Sequence, residues 1–169
     1  HYDHNAQQSV RGTNGAEPFR ANTPGGYEVR GVLIEGIASF HDDKKGAERG
    51  PNIIFEMRAE GMSICHLGDL GHELSDEQVD IIDGVDVLIV PVGGTYTLDA
   101  KKAAKVVNQI EPRIIIPMHY AIDGLKIDLM GVDAFVKELG LEVEHIDTLK
   151  IAKKDLPQEG MRLIVLSKA

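Results

Sequence analysis

Two stretches, VDVLIVPV at residues 85–92 and RIIIPM at residues 113–118, constrain this chain most. Both are rich in β-branched apolar residues and lack the polar alternation of a strand with one wet face. Each is therefore expected as a strand covered on both sides. Between them, TLDAKKAAKVVNQI sets Ala100, Ala103, Ala104 and Val107 at i, i+3, i+4 and i+7, one apolar helical face that Pro112 ends. Strand, helix and strand in this order imply a sheet covered by helices.

The flanking segments extend the pattern. Residues 11–26, rich in Gly, Pro, Asn and Thr, read as a surface loop or short hairpin. YEVRGVLIEGIASF, NIIFEMR and GMSICHLG read as three strands, the first two joined by the charged loop HDDKKGAERGP and the last two by an Ala-Glu-Gly turn. SDEQVDII opens with Ser75 and carries Gln78 three residues on, the pattern of a capping box. A later helix sets Val132, Phe135, Val136 and Leu139 on one face and ends at Gly140. LEVEHI and MRLIVL complete the strands, and no internal repeat is present. With 43% apolar residues, residues 1–169 are expected to form a single α/β (α+β) domain with its own core.

The net charge of −9 disfavours nucleic acid, because an acidic surface repels a phosphate backbone. No apolar run reaches membrane-spanning length, so a membrane is not an expected partner. Cys65 is the single cysteine, which excludes an internal disulfide framework and suits a reducing cytoplasm.

Chemistry enters where strands end. His41 follows ASF, Asp69 follows SICHLG, and His119 follows RIIIPM. Strand ends are where several chains of a sheet aim side chains into one crevice. A further cluster, His1, Asp3 and His4, stands at the start of the sequence. Imidazoles with carboxylates are the donors of a divalent-cation pair, and one carboxylate can bridge both ions. Such cations lower the pKa of a shared water, so a hydroxide nucleophile exists near neutral pH.

These motifs resemble the metallo-β-lactamase superfamily. H-Y-D-H matches the later part of its H-x-H-x-D-H motif, and A-S-F-H, H-L-G-D-L-G and I-I-P-M-H-Y match its later metal motifs in order. The phrases F-H-D-D…R-G-P-N, G-D-L-G and P-V-G-G-T-Y-T-L are most similar to Zn-dependent hydrolases related to ascorbate-6-phosphate lactonase. The resemblance implies a four-layer αββα sandwich with the site between two sheets, its N-terminal strands and first motif His lying before His1. It implies His1 and His41 on one metal, Asp3, His4 and His119 on the other, and Asp69 bridging. Asp3 would also orient the attacking hydroxide and carry its proton, the catalytic role. His66 is expected to orient a ligating carboxylate from outside the metal shell.

The function expected is hydrolysis of an ester, lactone or phosphodiester-type bond by two divalent ions, Zn²⁺ first, with Mn²⁺ or Fe²⁺ compatible with the same donors. The competing expectation is a metal-stabilised, non-catalytic scaffold or binding module. The substrate is expected to be a small molecule, selected by residues 11–26 and 120–130, with Arg11, Arg20 and Lys126 available to an anionic one. Cys65 is expected as core, His72 and His145 as structural or exposed, and Gly93–Gly94 as a sharp strand exit beneath the site.

Overall fold

Antiparallel hairpins build the first half of the sheet and parallel crossovers the second. The computed structural model describes residues 11–12 and 15–167, so the expected ligands His1, Asp3 and His4 lie outside the described residues. β1 (Gly25–Val29), β2 (Val32–Phe40), β3 (Pro51–Ala59) and β4 (Met62–His66) pair in chain order, each antiparallel to the last. β5 (Val87–Pro91), β6 (Ile114–Met118), β7 (Val143–Ile146) and β8 (Arg162–Leu166) add parallel neighbours, in the order β1-β2-β3-β4-β5-β6-β8-β7. Three helices lie in the connections, α1 (Asp76–Ile82), α2 (Ala100–Ile110) and α3 (Asp133–Leu139).

One expected strand is in fact two. YEVRGVLIEGIASF breaks at Arg30 (φ 53°) and Gly31 (φ 83°), a pair of left-handed residues that closes the β1–β2 hairpin. Such turns match the right-handed twist of the strands they join, and they favour Asn or Asp with Gly. Arg30 is a poor marker of that geometry, which hid the turn. Glu28 secures it by accepting a hydrogen bond from the Gly31 amide at 2.9 Å. The expected Ala-Glu-Gly turn between β3 and β4 has the same form, with Glu60 at φ 52° and Gly61 at 75°.

The helices begin and end where the sequence places them. Ser75 and Gln78 form the capping box of α1. The Asp99 carboxylate accepts from the Lys102 amide at the start of α2, and Glu111 turns left-handed just before Pro112. Ala100, Ala103, Ala104 and Val107 are buried, together with Val106 and Ile110. They pack in one cluster with Ile37, Ile54, Cys65, Leu88 and Ile115 from the sheet and Phe135 from α3. Burial, reinforced by the Glu56 charge, pushes the Cys65 thiol far up, so it acts as a small core residue.

The opposite face carries a second cluster around Val87, Ile114, Leu156 and Ile164. Val87 and Leu88, consecutive in β5, thus fall in different clusters, which is the two-sided burial expected of this strand. Over β2–β4 the same opposite face, with Ile34, Ile53, Phe55, Met57 and Ile64, is only half-buried.

At the end of the strands opposite the His-bearing ends, Asp86 ties three segments together. Its carboxylate is buried, accepts from the Ser63 amide at 3.0 Å, and pairs with Lys153 at 3.1 Å and Arg113 at 3.6 Å. Both cations are half-exposed and can rehydrate, so the main loss on truncation is the stranded Ser63 amide. Asp86→Ala is expected to lower the urea-unfolding free energy by about 2 kcal/mol, without changing the fold seen by circular dichroism.

Candidate metal centre

The hydrophobic pattern that ends each strand also decides what stands beyond it. His41 directly follows β2, His119 directly follows β6, and Asp69 lies three residues past β4. The fold brings these three separate strand ends together. His41 Nε2 stands 3.7 Å from Asp69 Oδ2, and His119 Nε2 stands 3.8 Å from Asp69 Oδ1. Each carboxylate oxygen therefore faces a different imidazole. Those separations exceed a hydrogen bond. Two donors on one tetrahedral cation, each about 2.1 Å from it, stand about 3.4 Å apart, so the spacing suits ligands better than hydrogen-bond partners.

The burial of the group supports the same use. His41 is 5% exposed, and the Asp69 and His119 side chains are 15% and 25% exposed. His119 Nδ1 is buried and has no hydrogen-bond partner among the described residues. This is the ring nitrogen away from Asp69, the one through which a metal-ligating imidazole donates to an outer group rather than binding the metal. Among the described residues, however, no three His, Cys, Asp or Glu side chains close around a metal-sized point. The described residues thus supply one carboxylate with an imidazole facing each oxygen, a donor set that suits divalent cations without by itself completing a site.

The positions are fixed by groups outside this trio. Asn52, near the start of β3, accepts from the Asp69 amide through Oδ1 at 3.0 Å. Its Nδ2 donates to Ser39 Oγ at 2.8 Å and to the Leu67 carbonyl at 2.9 Å. One carboxamide thus holds the exits of β2 and β4. Two glycines then let backbone press against both histidines. A Cβ placed on Gly71 would overlap the His41–Asp42 peptide, and one on Gly93 would overlap the carbonyl of His119. His119 is itself left-handed, at φ 55°, a conformation uncommon outside glycine but better tolerated by His than by most residues.

The loop after His41 is organised by Asp42. Its buried carboxylate accepts from the amides of Lys44, Gly46, Glu48 and Arg49. Burial raises this carboxyl, and the four amides outweigh that effect, bringing it down to about 2. His41 N in turn donates to the Gly50 carbonyl at 3.1 Å, closing the loop.

The remaining histidines separate cleanly. Burial pushes the His66 imidazole below its ordinary value, against the pull of the Asp69 charge. Its Nδ1 accepts from the Gly68 amide at 3.0 Å, so it braces the turn that carries Asp69 and makes no hydrogen bond to the carboxylate. His72 accepts from the Phe40 amide through Nε2 and donates from Nδ1 to the Glu73 carbonyl, which makes it a structural tie. His145 is exposed. Of the basic residues considered for an anion, Arg20 pairs with Glu17 at 2.8 Å and Lys126 is exposed.

The family model of the beta-lactamase superfamily domain matches residues 1–119. The chain belongs to that superfamily. A UPF0173 metal-dependent hydrolase of Methanopyrus kandleri is 31% identical over 131 residues, covering 74% of this chain and 57% of the relative. A second, from Thermoplasma acidophilum, is 31% identical over 106 residues, covering 63% of this chain and 47% of that protein. The chain spans about half the length of these curated relatives. Among solved structures, a Thermotoga maritima protein described as a Zn-dependent hydrolase of the metallo-β-lactamase superfamily is 40% identical. It superposes with a TM-score of 0.75 over 92% of this chain and 78% of its own. YhfI of Bacillus subtilis, a metallo-β-lactamase fold protein, shares the fold at 9% identity, with a TM-score of 0.58 over 94% of this chain and 56% of its own. The fold is thus the metallo-β-lactamase fold that the motifs implied, and the described residues show one sheet of it with its helices.

No helix among the described residues is long and apolar enough to cross a membrane.

The sequence reading places Gly93 at a strand exit beneath the site but does not single out Asn52, Gly71 or Asp42. Asn52 was visible only as a polar residue within an apolar strand, and Gly71 only as turn punctuation. Asn52→Ala is expected to cost about 2 kcal/mol in urea unfolding by stranding the Asp69 amide. Gly93→Ala is expected to destabilise more, because its Cβ has no space beside the His119 carbonyl; amide exchange at residues 118–121 will report the displaced strand end.

Proposed function

We propose that this superfamily member is a hydrolase using two divalent cations at the His41–Asp69–His119 site, acting on an ester, lactone or phosphodiester-type bond of a small molecule. The observation that carries this reading is the Asp69 carboxylate, with one imidazole Nε2 facing each of its oxygens at 3.7 and 3.8 Å. Asp69 is taken as the bridge. His1 and His41 would hold one ion, and Asp3, His4 and His119 the other. Zn²⁺ suits this imidazole-rich donor set, and Mn²⁺ or Fe²⁺ fall within the same ligand class.

When bound, the cations supply an acidified water and a Lewis acid for the oxygen that gains charge during bond cleavage. The rest belongs to the chain. Asp3 would orient the water and take up its proton. Asn52 and His66 hold the Asp69 turn, so the carboxylate enters the reaction already aligned. Gly71 and Gly93 let neighbouring backbone lie directly against the two histidines. Such preorganisation is where most electrostatic catalysis originates.

The metal-dependent hydrolases of Methanopyrus and Thermoplasma and the Thermotoga protein support the reaction class.

Elemental analysis of the protein is expected to find two ions per protomer. Asp69→Ala is expected to lose at least about 10³-fold in kcat/KM on lactone or phosphodiester probes, and Asn52→Ala about 10-fold in metal affinity. Full turnover in chelated protein would overturn the reading. One tightly held ion without turnover on any probe would instead favour a metal-stabilised scaffold.

A further inference from the structure

Large apolar side chains exposed to solvent are concentrated beside the site. Of the eight among the described residues, four lie in one short segment: Ile122 (42% exposed), Leu125 (41%), Ile127 (53%) and Met130 (47%). A fifth, Tyr96 at 42%, lies on the neighbouring turn. Scattered apolar residues on a surface need no explanation, but a run of this kind marks an interaction site.

The segment is anchored to the site at both ends. It leaves directly from His119, and its base closes by a hydrogen bond from the Ala121 amide to the Met130 carbonyl at 2.9 Å. The Met130 amide donates to the carbonyl of Gly93, the glycine that lies against His119. The Met130 thioether packs over Gly94, two residues before Tyr96. Tyr96 is held from the other side, where the Arg49 guanidinium lies 5.8 Å over its ring and donates to the Thr95 carbonyl. Arg49 belongs to the loop that starts at His41. The apolar residues therefore continue from the rim of the His119 side toward the loop of the His41 side.

We propose that Ile122, Leu125, Ile127 and Met130, with Tyr96, form a wall that binds an alkyl or aryl substituent of the substrate. The proposal rests on the hydrolase reading above and deepens it, by naming an acyl-type or otherwise apolar group next to the bond that is cleaved. A substituent lying along this wall would have its polar end at Asp69 and the two imidazoles, because the segment begins at one of those ligands. Burial of methylene groups supplies the selectivity, and the exposed Asp123, Lys126 and Asp128 keep the segment soluble while the site is empty of substrate.

The test pairs octanoate with acetate as binding probes and their p-nitrophenyl esters as substrates, on the Zn²⁺-loaded protein. Octanoate is expected to bind roughly ten-fold or more tightly than acetate and to shift the methyl resonances of Ile122, Leu125, Ile127 and Met130. In the Ile122→Ser, Leu125→Ser, Ile127→Ser triple variant, the octanoyl-to-acetyl ratio of kcat/KM is expected to collapse by about ten-fold or more. Octanoate binding no tighter than acetate, or methyl shifts confined to other residues, would overturn the wall. So would light scattering that shows a wild-type dimer dissociated by the triple variant, since the patch would then be a self-association surface. Octanoate binding at these methyls with no turnover of either ester or of the lactone and phosphodiester probes would uphold the wall and sink the hydrolase reading. Turnover of both esters at equal efficiency would do the reverse.

Discussion

Everything at this site hangs from the carboxamide of Asn52. Antiparallel pairing brings the end of β2 and the end of β4 to opposite sides of the start of β3, so one residue there can reach both. Asn52 lies opposite Ser39 and binds its hydroxyl, then spans to Leu67 and Asp69. An amide is suited to this because it donates and accepts at once. The remaining strand ends dock onto this pair through backbone bonds: Gly71 to Phe40, Leu98 to Leu70, and Val92 to Met118. A chain of main-chain contacts thus runs from Asn52 across the sheet to His119.

How far the sequence discloses this depends on the range of the interaction. Strand and helix placement follows from local hydropathy, so the positions of His41, Asp69 and His119 just past apolar runs were legible, as were Ser75 and Gln78 at the α1 cap. Asn52 was not, because its three partners come from β2 and the β4 exit and no local pattern announces them. Gly71 and Gly93 matter through what lies against them, His41 and His119, which are tens of residues distant in the chain. Asp86 reads as a stray acid at the start of an apolar strand until Ser63, Arg113 and Lys153 surround it. Arg30 misled for a different reason: its backbone adopts a conformation its side chain does not advertise.

The two faces of the sheet are finished differently. The helix side is closed from β2 to β8 by one continuous cluster. Among the described residues the other side is closed over β5 to β8, where Leu156 and its neighbours pack against Val87, Ile114 and Ile164, with Met62 and Ile64 of β4 at the margin. Over β2 to β4 it presents half-buried Ile34, Phe55, Met57 and Ile64, with His66 beside them. An apolar face of that extent is what a second sheet covers in a sandwich. His66 lies at the border between this face and the turn of Asp69, so cover on the face and order in the Asp69 turn are coupled through one imidazole.

The left-handed turn at His119 has a consequence for how such a protein can diversify. His119 is held from behind, by Gly93 against its carbonyl, and the chain that follows departs at an angle set by its own backbone. His119 and the segment after it both meet Gly93, which lies against the His119 carbonyl and accepts from the Met130 amide. Residues 121–129 form a loop outside the sheet, closed at its base by the Ala121–Met130 hydrogen bond. A change confined to residues 121–129 would therefore leave the strand pairing beneath His119 in place.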